Sequence, residues 1–228
     1  MYFDIYYLIF IVPAMIISLI AQSKVTSTFN KYNSVLNRRG YTGAQVARKI
    51  LDANGLTNVS VERVSGHLSD HFDPRTNVVR LSDSTYNSTS VGAVGVAAHE
   101  VGHAIQHSTG YFPIKVRSAI IPITNLGSSL SWPLFFLGLV LGFPILTDIG
   151  ILLFCAVVAF QLVTLPVEFN ASRRAMTTLE DDRILQDDEL KGARKVLTAA
   201  AMTYLAALIT AIANLLRLLA LSNRNRRR

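Results

Sequence analysis

Two histidines and a glutamate in the stretch AAHEVGHAIQH, residues 97–107, have the types and spacing that zinc chemistry requires. His99 and His103 are four residues apart, so on a helix both imidazoles project from one face, one turn apart. Two such rings can share a tetrahedral zinc ion, and Glu100 is rotated far enough to reach a water molecule beside the metal. Zinc lowers the pKa of its water to about 7, and a carboxylate can accept the released proton and pass it to a leaving amine. The pattern therefore predicts a hydrolytic zinc site with Glu100 as general base.

The residues around this motif are uncharged, so we expect its helix to be buried. They are Val96, Ala97, Ala98, Val101, Gly102, Ala104 and Ile105. Burying two histidines and a glutamate without a partner costs free energy, which favours metal binding over a polar stripe satisfied by other protein groups. His107 is interpreted as a polar residue at the helix end, because its Cα lies about 12 Å along the axis from that of His99, too far to share one ion.

Composition and charge favour a membrane protein. Hydrophobic residues make up 50% of the chain and charged residues 16%, and the mean hydropathy of +0.35 is high for a soluble domain. The net charge of +7 comes from basic residues that flank apolar segments, as positive-inside signals do. We therefore expect a lipid bilayer as a partner and no nucleic acid.

The first apolar segment, Ile5–Ala21, is long enough to cross a bilayer. Because Asp4 precedes it and no Lys or Arg does, we interpret it as a retained anchor and not as a signal peptide. Basic residues with no acid among them follow the segment, which predicts that residues 24–118 are cytoplasmic. They are Lys24, Lys31, Arg38, Arg39, Arg48 and Lys49.

The second apolar segment, Ala119–Val167, predicts a transmembrane helical hairpin. Breaks at Gly142-Phe143-Pro144 and near Asp148 divide it into helices of about 119–141 and 149–167. A hairpin returns the chain to the side from which it entered, so the residues after it are predicted to be cytoplasmic as well.

The third apolar segment, Val196–Leu221, is long enough to span but carries a polar stripe at seven-residue spacing, formed by Thr203, Thr210 and Arg217. The stripe predicts a helix with one face against protein. If this helix spans, the basic tail lies outside, against the positive-inside rule, so the sequence leaves open whether it spans or lies at the interface.

These patterns predict a mainly helical α+β fold in a multi-pass membrane protein. The predicted parts are an N-terminal transmembrane anchor (1–23), a cytoplasmic zincin-like domain (24–118), the transmembrane hairpin (119–167), a cytoplasmic segment (168–195) and a membrane-associated helix with a basic tail (196–228).

Within the cytoplasmic domain, the local patterns predict two helices and two strands. In order they are a helix opened by a capping box at Thr42 and Gln45, a strand near 59–64, a polar loop over 67–77 with a turn at Asp73-Pro74, a strand over Asn77–Ser82, and a helix from caps at 87–90 to about His107. The strand Asn77–Ser82 is equally consistent with a core strand and with an edge strand that pairs with a peptide substrate.

A third zinc ligand has to come from outside the motif. Asp148 falls on the wrong side of the predicted membrane, and the acidic cluster over 180–189 is typical of a solvated face. Glu168, in LPVEFNASRRA, follows the apolar hairpin directly on the correct side. A carboxylate at that place is more easily explained as a ligand than by solvation.

Three stretches resemble the YugP-like family of membrane-bound neutral zinc metallopeptidases, and more distantly the HtpX and Ste24 type of membrane zinc protease. They are HEVGHAIQH, the upstream SDHFDPRTNVVRLS, and LPVEFNASRRA after the hairpin. The resemblance covers most of the chain. It implies a membrane metallopeptidase with Zn²⁺ as cofactor, His99, His103 and Glu168 as ligands, and Glu100 as general base.

Four further residues are candidates for supporting this chemistry. The distant relatives often have Asp four residues after the ligand Glu, as a partner of a ligand His, whereas this chain has Ser172 there. A serine orients an imidazole more weakly, so Asp70 or Asp73 is an alternative partner. His71 is a candidate donor to the oxyanion of a tetrahedral intermediate, the alternative being a loop histidine that caps the turn.

The sequence thus predicts a membrane-embedded zinc endopeptidase acting on membrane-associated or unfolded chains, the substrate class resting on analogy with the distant relatives. Two other classes stay open. A non-catalytic scaffold with a structural zinc predicts a closed site of four ligands, with His107 or an Asp as the fourth. An ion-handling transporter component predicts that the HExxH helix lies within the bilayer. The oligomeric state does not follow from the sequence.

Overall fold

The computed structural model describes residues 4–226 and is mostly helical. A π-helical turn, Tyr7–Ile11, leads into α1 (Val12–Asn33), and the other helices are α2 (Gly43–Ala53), α3 (Val91–Ser108), α4 (Phe112–Leu141), α5 (Pro144–Asp181) and α6 (Asp187–Arg226). Three short strands, β1 (Ser60–Val64), β2 (His71–Asp73) and β3 (Val78–Ser82), lie between α2 and α3. The prediction of a mainly helical fold with a small amount of β-structure is confirmed.

The chain divides into two compact units. One consists of Ser23–Ile114 and Val167–Met202, and the other of residues 4–22, 115–166 and 203–226 within the described part of the chain. The first unit contains α2, α3 and all three strands, and we call it the α+β unit. The second consists of helical segments, and we call it the helical unit.

The α+β unit begins with the predicted capping box. The Thr42 side chain accepts a hydrogen bond from the Gln45 backbone N–H, and the Gln45 side chain accepts one from the Thr42 N–H. The apolar face of α2 is buried, with Val46, Ala47, Ile50 and Leu51 all at most 1% exposed. This face packs with the inner side of α3 around β3, which forms the core of the unit.

The sheet has the order β1-β3-β2, with β1 parallel and β2 antiparallel to β3. Val79 is the register partner of both Val61 and Phe72, so β3 is the central strand. The interpretation of Asn77–Ser82 as an edge strand for a peptide is therefore wrong, because both of its hydrogen-bonding edges are already paired.

The predicted loop over 67–77 is also corrected, since β2 and the turn of a β-hairpin lie within it. The Asp73 carboxylate fixes this turn by accepting hydrogen bonds from the Arg75 N–H at 3.0 Å and the Thr76 hydroxyl at 2.7 Å. Three residues of β2 are too few for a periodic pattern, so only the pairing with β3 identifies the strand.

In the helical unit, the hairpin turn comes where the sequence predicted it, but its helices are longer. Gly142 has a φ of +72°, the left-handed conformation that ends helices, and Pro144 is the first residue of α5. The predicted break near Asp148 is wrong, because Pro144 already begins α5 and Asp148 lies within its first turns. The helices also continue through Pro122, Pro133 and Pro166.

The helical unit is apolar on the outside. Leu19, Val140 and Leu152 are 62%, 82% and 71% exposed, whereas the hydroxyl-bearing residues Ser131 and Thr164 are buried. Four helices of the described chain are long and apolar enough to cross a membrane, namely Tyr7–Asn33, α4, α5 and residues 187–225 of α6. An apolar exterior of this extent is typical of a lipid-facing surface.

Two members of the polar stripe in the third apolar segment lie against protein, as the stripe predicts, one against α1 and one against the segment that precedes α1. The Thr210 hydroxyl lies 3.0 Å from that of Ser18. Arg217 donates two hydrogen bonds to one Asp4 carboxylate oxygen, at 2.7 and 2.9 Å, and its guanidinium lies 5.2 Å from the ring centroid of Tyr7. Charge pairing of this kind reduces the cost of an arginine on an apolar helix.

Candidate metal centre

Helix α3 presents the two motif histidines side by side. Its N-cap is Ser90, whose hydroxyl accepts from the Ala93 N–H, and it continues without interruption to Ser108. The rings of His99 and His103 have centroids 4.8 Å apart and are nearly perpendicular at 82°. The predicted helix, with its cap and its end near His107, is confirmed.

Helix α5 brings a carboxylate to both imidazoles. The Glu168 Oε2 atom lies 3.3 Å from His99 Nε2 and 3.4 Å from His103 Nε2. The Glu168 side chain is only 3% exposed, and those of His99 and His103 are 12% and 11% exposed. One carboxylate oxygen is therefore held at similar distances from two ring nitrogens on another helix.

A glycine of the HEVGH motif permits this approach of the two helices. A Cβ placed on Gly102 would lie 2.6 Å from the backbone carbonyl oxygen of Ala171, a distance at which the two backbones must separate. Ala171 follows Glu168 by less than one turn of α5. Gly102 thus serves the geometry of the site although it carries no ligand atom.

The arrangement fits the donor set of a tetrahedral zinc ion. The candidate ligand atoms of His99, His103 and Glu168 lie within 4.8 Å of one another. Zinc bonds to nitrogen and oxygen of about 2.0–2.2 Å at tetrahedral angles separate two ligand atoms by roughly 3.3–3.5 Å. The two separations that involve the Glu168 oxygen, 3.3 and 3.4 Å, agree with this spacing and exceed that of an ordinary hydrogen bond.

The second nitrogen of each imidazole has a partner of its own. His99 Nδ1 lies 3.1 Å from the Ser172 hydroxyl oxygen, and His103 Nδ1 lies 3.0 Å from the Gln106 side-chain oxygen. A proton on each Nδ1 leaves the Nε2 lone pair directed at the common point near Glu168, which is the arrangement that metal-binding histidines need.

Sequence reasoning missed Gln106, which is fully buried. Its amide nitrogen donates to the Val167 backbone oxygen at 2.7 Å and to Asn170 Oδ1 at 3.0 Å, and Arg174 Nε donates to the same Asn170 oxygen at 2.8 Å. This connection ties the His103 ring to α5. The available signal was an amide within an otherwise apolar helix, three residues after a ligand candidate.

The site is electronegative before any cation enters it. Burial by itself lowers the pKa of His103, but the contact with Glu168 and the negative charges of Glu100 and Glu168 outweigh burial and raise the pKa above its usual value. Glu100 is itself buried, with 9% of its surface exposed. Two carboxylates beside two imidazoles favour a bound cation.

The remaining candidates are engaged elsewhere in the α+β unit. The Asp70 carboxylate accepts from the Ser82 N–H and hydroxyl, and Asp73 accepts from Arg80 and Thr76. His71 is exposed on β2, with Nδ1 2.9 Å from the Ser69 carbonyl oxygen. Of the candidate partners, Ser172 contacts a motif imidazole, whereas the hydrogen bonds described for Asp70 and Asp73 go to other residues.

His107 is directed away from the candidate ligands. Its ring centroid lies 5.9 Å from that of Phe72 on β2. Among the described residues, the metal-binding group consists of His99, His103 and Glu168, and no fourth His, Cys, Asp or Glu joins it.

The fold and site together define a class, a membrane protein whose α+β unit holds two imidazoles and a carboxylate suited to one metal ion. The sequence model of the family described as "Putative neutral zinc metallopeptidase" matches residues 7–223, and the chain belongs to this family. It is 48% identical over 206 residues to the Bacillus subtilis (strain 168) protein named "Putative membrane protease YugP", with 90% of this chain and 92% of that protein covered. No solved structure matches the chain.

Proposed function

We propose that the protein is a membrane zinc metalloendopeptidase in which His99, His103 and Glu168 bind the metal and Glu100 is the general base. The observation that carries this proposal is the common separation of 3.3 and 3.4 Å from one Glu168 oxygen to two imidazole nitrogens. Membership of a zinc metallopeptidase family supports the same assignment.

Residues of the chain beside the metal ligands have defined parts in the proposed reaction. When bound, zinc supplies a Lewis acid that polarises the scissile carbonyl and acidifies the attacking water. Glu100, buried beside His103, accepts the proton of that water and donates it to the leaving amine. Ser172 and Gln106 hold the two imidazoles in the tautomer that ligation requires.

A group of three candidate ligands favours a catalytic zinc over a purely structural one. A closed structural site has four protein ligands, whereas catalytic sites have three and leave one position for water or substrate. The group found in the described residues has three members, and His107, the proposed fourth ligand of a scaffold, contacts Phe72 instead.

The position of α3 in the chain favours a peptidase over an ion-handling transporter component. The hypothesis of an ion-handling transporter component requires the HExxH helix to lie in the bilayer. Helix α3 is not among the four candidate spans of the described chain, and it packs into the core of the α+β unit. This placement favours cleavage of a peptide segment that lies outside the bilayer.

The active site is proposed to face the cytoplasm, close to the membrane surface. Basic residues follow the apolar part of α1, which supports this orientation by the positive-inside rule. Glu168 lies on α5 directly after its apolar portion. Membrane-associated or unfolded polypeptides are therefore the proposed substrates.

The variant Glu100→Gln tests the proposal. Because Gln keeps the shape of Glu but cannot accept a proton, purified protein should keep its zinc and lose at least about a hundredfold in casein cleavage. Zinc content and proteolysis are measured on the same preparation, in detergent.

His103→Ala is the companion variant and should lose both zinc and activity, because it removes a ligand. Undiminished proteolysis by Glu100→Gln would exclude Glu100 as the base. Stoichiometric zinc in wild type without any peptide hydrolysis would instead support the scaffold.

A further inference from the structure

A basic groove lies between α1 and α6 in the α+β unit, apart from the candidate metal centre. The groove has a volume of about 630 Å³. Its cationic lining residues are Lys24, Lys31, Lys191, Arg194 and Lys195, and the others are Thr28, Tyr32, Thr198, Ala199 and Met202. Five cations around one concave surface make an anion its natural ligand.

The spacing of the lining residues shows that each helix turns one face towards the groove. On α1 the basic positions 24 and 31 are seven residues apart. On α6 the basic positions 194 and 195 follow position 191 by three and four residues. These are the intervals of a single helix face. Within the described residues, no Asp or Glu lines the groove, so its positive potential is not neutralised from inside.

A close contact between the helices positions the Tyr32 ring that lines the groove. A Cβ on Gly192 would lie 2.8 Å from two carbon atoms of the Tyr32 ring, so glycine is what allows the ring to lie against α6. Lys31 Nζ is 5.8 Å from the centroid of the same ring. The groove is therefore a built feature of the α1–α6 packing and more than a set of flexible side chains on a surface.

The groove lies where both helices change from polar to apolar sequence. In α1 the apolar run ends at Ala21 and Lys24 follows, and in α6 Lys195 directly precedes the apolar run Val196–Leu221. Ala199 and Met202 contribute an apolar side to the lining. Cations beside apolar surface at the end of two candidate spans match the headgroup and the first acyl carbons of a phospholipid.

We propose that this groove is a binding site for an anionic phospholipid, whose phosphate group pairs with the α6 cations Lys191, Arg194 and Lys195. Basic residues that only obey the positive-inside rule need no shared cavity, because their effect depends on total charge near the membrane. Here they line one cavity together with the Tyr32 ring. A lipid headgroup and a soluble phosphate ester would both offer a phosphate anion to these cations. The apolar side of the groove favours the lipid.

The test is lipid binding by the full-length, detergent-solubilised protein, followed by native mass spectrometry. The probes are phosphatidylglycerol, phosphatidylcholine and soluble glycerol 3-phosphate. The groove variant is Lys191→Gln/Arg194→Gln/Lys195→Gln. The control variant Arg39→Gln/Arg63→Gln/Arg75→Gln removes the same charge from exposed positions outside the groove.

Wild type should bind phosphatidylglycerol more tightly than phosphatidylcholine. The groove variant should bind phosphatidylglycerol at least about tenfold more weakly, while the control changes by less than about twofold. Equal weakening in both variants would show a general charge effect and overturn the proposal. Equally tight binding of glycerol 3-phosphate would reassign the groove to a soluble phosphate, and unchanged lipid binding in the groove variant would remove the site altogether.

Discussion

His99 and His103 each use both ring nitrogens, and the two nitrogens have different purposes. Each Nε2 is directed at Glu168, and each Nδ1 is held by a neutral side-chain oxygen, that of Ser172 or Gln106. Neutral partners fix the tautomer with less electron donation to the ring than a carboxylate would give. At the scale of single residues, the site is determined as much by these partners as by the ligands.

Removing the amide of Gln106 should weaken metal binding without removing a ligand. We expect Gln106→Leu to reduce zinc affinity by about 10–100-fold, because His103 loses the acceptor that orients its ring. A competition titration against a zinc-binding dye measures this. Ser108→Ala is a matched control on the same helix, since its hydroxyl contacts only the Ile105 carbonyl oxygen of its own turn among its described hydrogen bonds. Equal affinity in both variants would contradict the assigned part of Gln106.

The Asp73 turn should be sensitive to pH in a calculable direction. Hydrogen bonds from Thr76, the Arg75 N–H and Arg80 hold the pKa of Asp73 well below its usual value. A carboxylate whose pKa is lowered in the folded state stabilises the folded turn at pH values above its ordinary pKa of about 4. This stabilisation is lost as the pH falls.

We therefore expect Asp73→Asn to lower hydrogen-exchange protection of the β2–β3 amides at pH 7. The difference from wild type should shrink on acidification below about pH 4, because there the Asp73 carboxylate takes up a proton in the unfolded state while it stays ionised in the folded turn. Exchange followed by mass spectrometry at both pH values checks this. A difference that is the same at pH 7 and pH 3 would contradict the assigned cause.

At the scale of elements, the site depends on how closely α3 approaches α5. The histidines on α3 and the glutamate on α5 are more than 60 residues apart in sequence. Only Gly102 allows the backbone of Ala171 to come near enough for Glu168 to reach both rings. A glycine inside a helix lowers helix stability by about 1 kcal/mol relative to alanine. At position 102 it allows the close approach of α3 and α5 in return.

Gly102→Ala should therefore impair the metal centre even though alanine favours the helix. We expect zinc affinity to fall by at least about tenfold, because the added methyl group meets a backbone carbonyl and forces the helices apart. The control is Gly95→Ala on the same helix, whose Cβ would lie 3.3 Å from the Ala193 methyl group and needs only a small shift. Circular dichroism confirms that both variants are folded, and zinc content then separates them.

At the scale of the whole molecule, the two units have opposite surface patterns. The α+β unit buries its apolar residues in one core, whereas helical-unit residues such as Leu19, Val140 and Leu152 turn large apolar side chains outward. In the most apolar stretch of each of the four candidate spans, only 11%, 28%, 22% and 44% of the residues are buried. A polypeptide with this distribution needs a bilayer around its helical unit.

The proposed topology can be tested with single cysteines in a chain whose Cys155 is replaced by Ser. Four spans with residues 24–118 in the cytoplasm put a cysteine at Arg75 inside and cysteines at Phe143 and Asn225 outside. A membrane-impermeant maleimide should label the two outer positions in intact cells, and position 75 only after lysis. Labelling of position 225 only after lysis would mean that α6 does not span.

The candidate ligands, the capping box at Thr42 and the turn at Gly142 could all be predicted from the sequence. Each depends on neighbours within a few residues, through helical periodicity or a local hydrogen bond. Glu168 could be proposed because a carboxylate after an apolar run is costly unless it has a partner. Family resemblance supported these predictions but did not supply the geometry.

Only the tertiary structure decided which distant groups meet. Strand β2 exists because it pairs with β3, Gln106 reaches Asn170 because α3 and α5 pack together, and the basic groove exists because Gly192 admits Tyr32. Contacts across large sequence separations depend on packing and leave no periodic signal in the chain. For this protein, the local sequence therefore determined the chemical groups and their helices, whereas packing determined the site that they form.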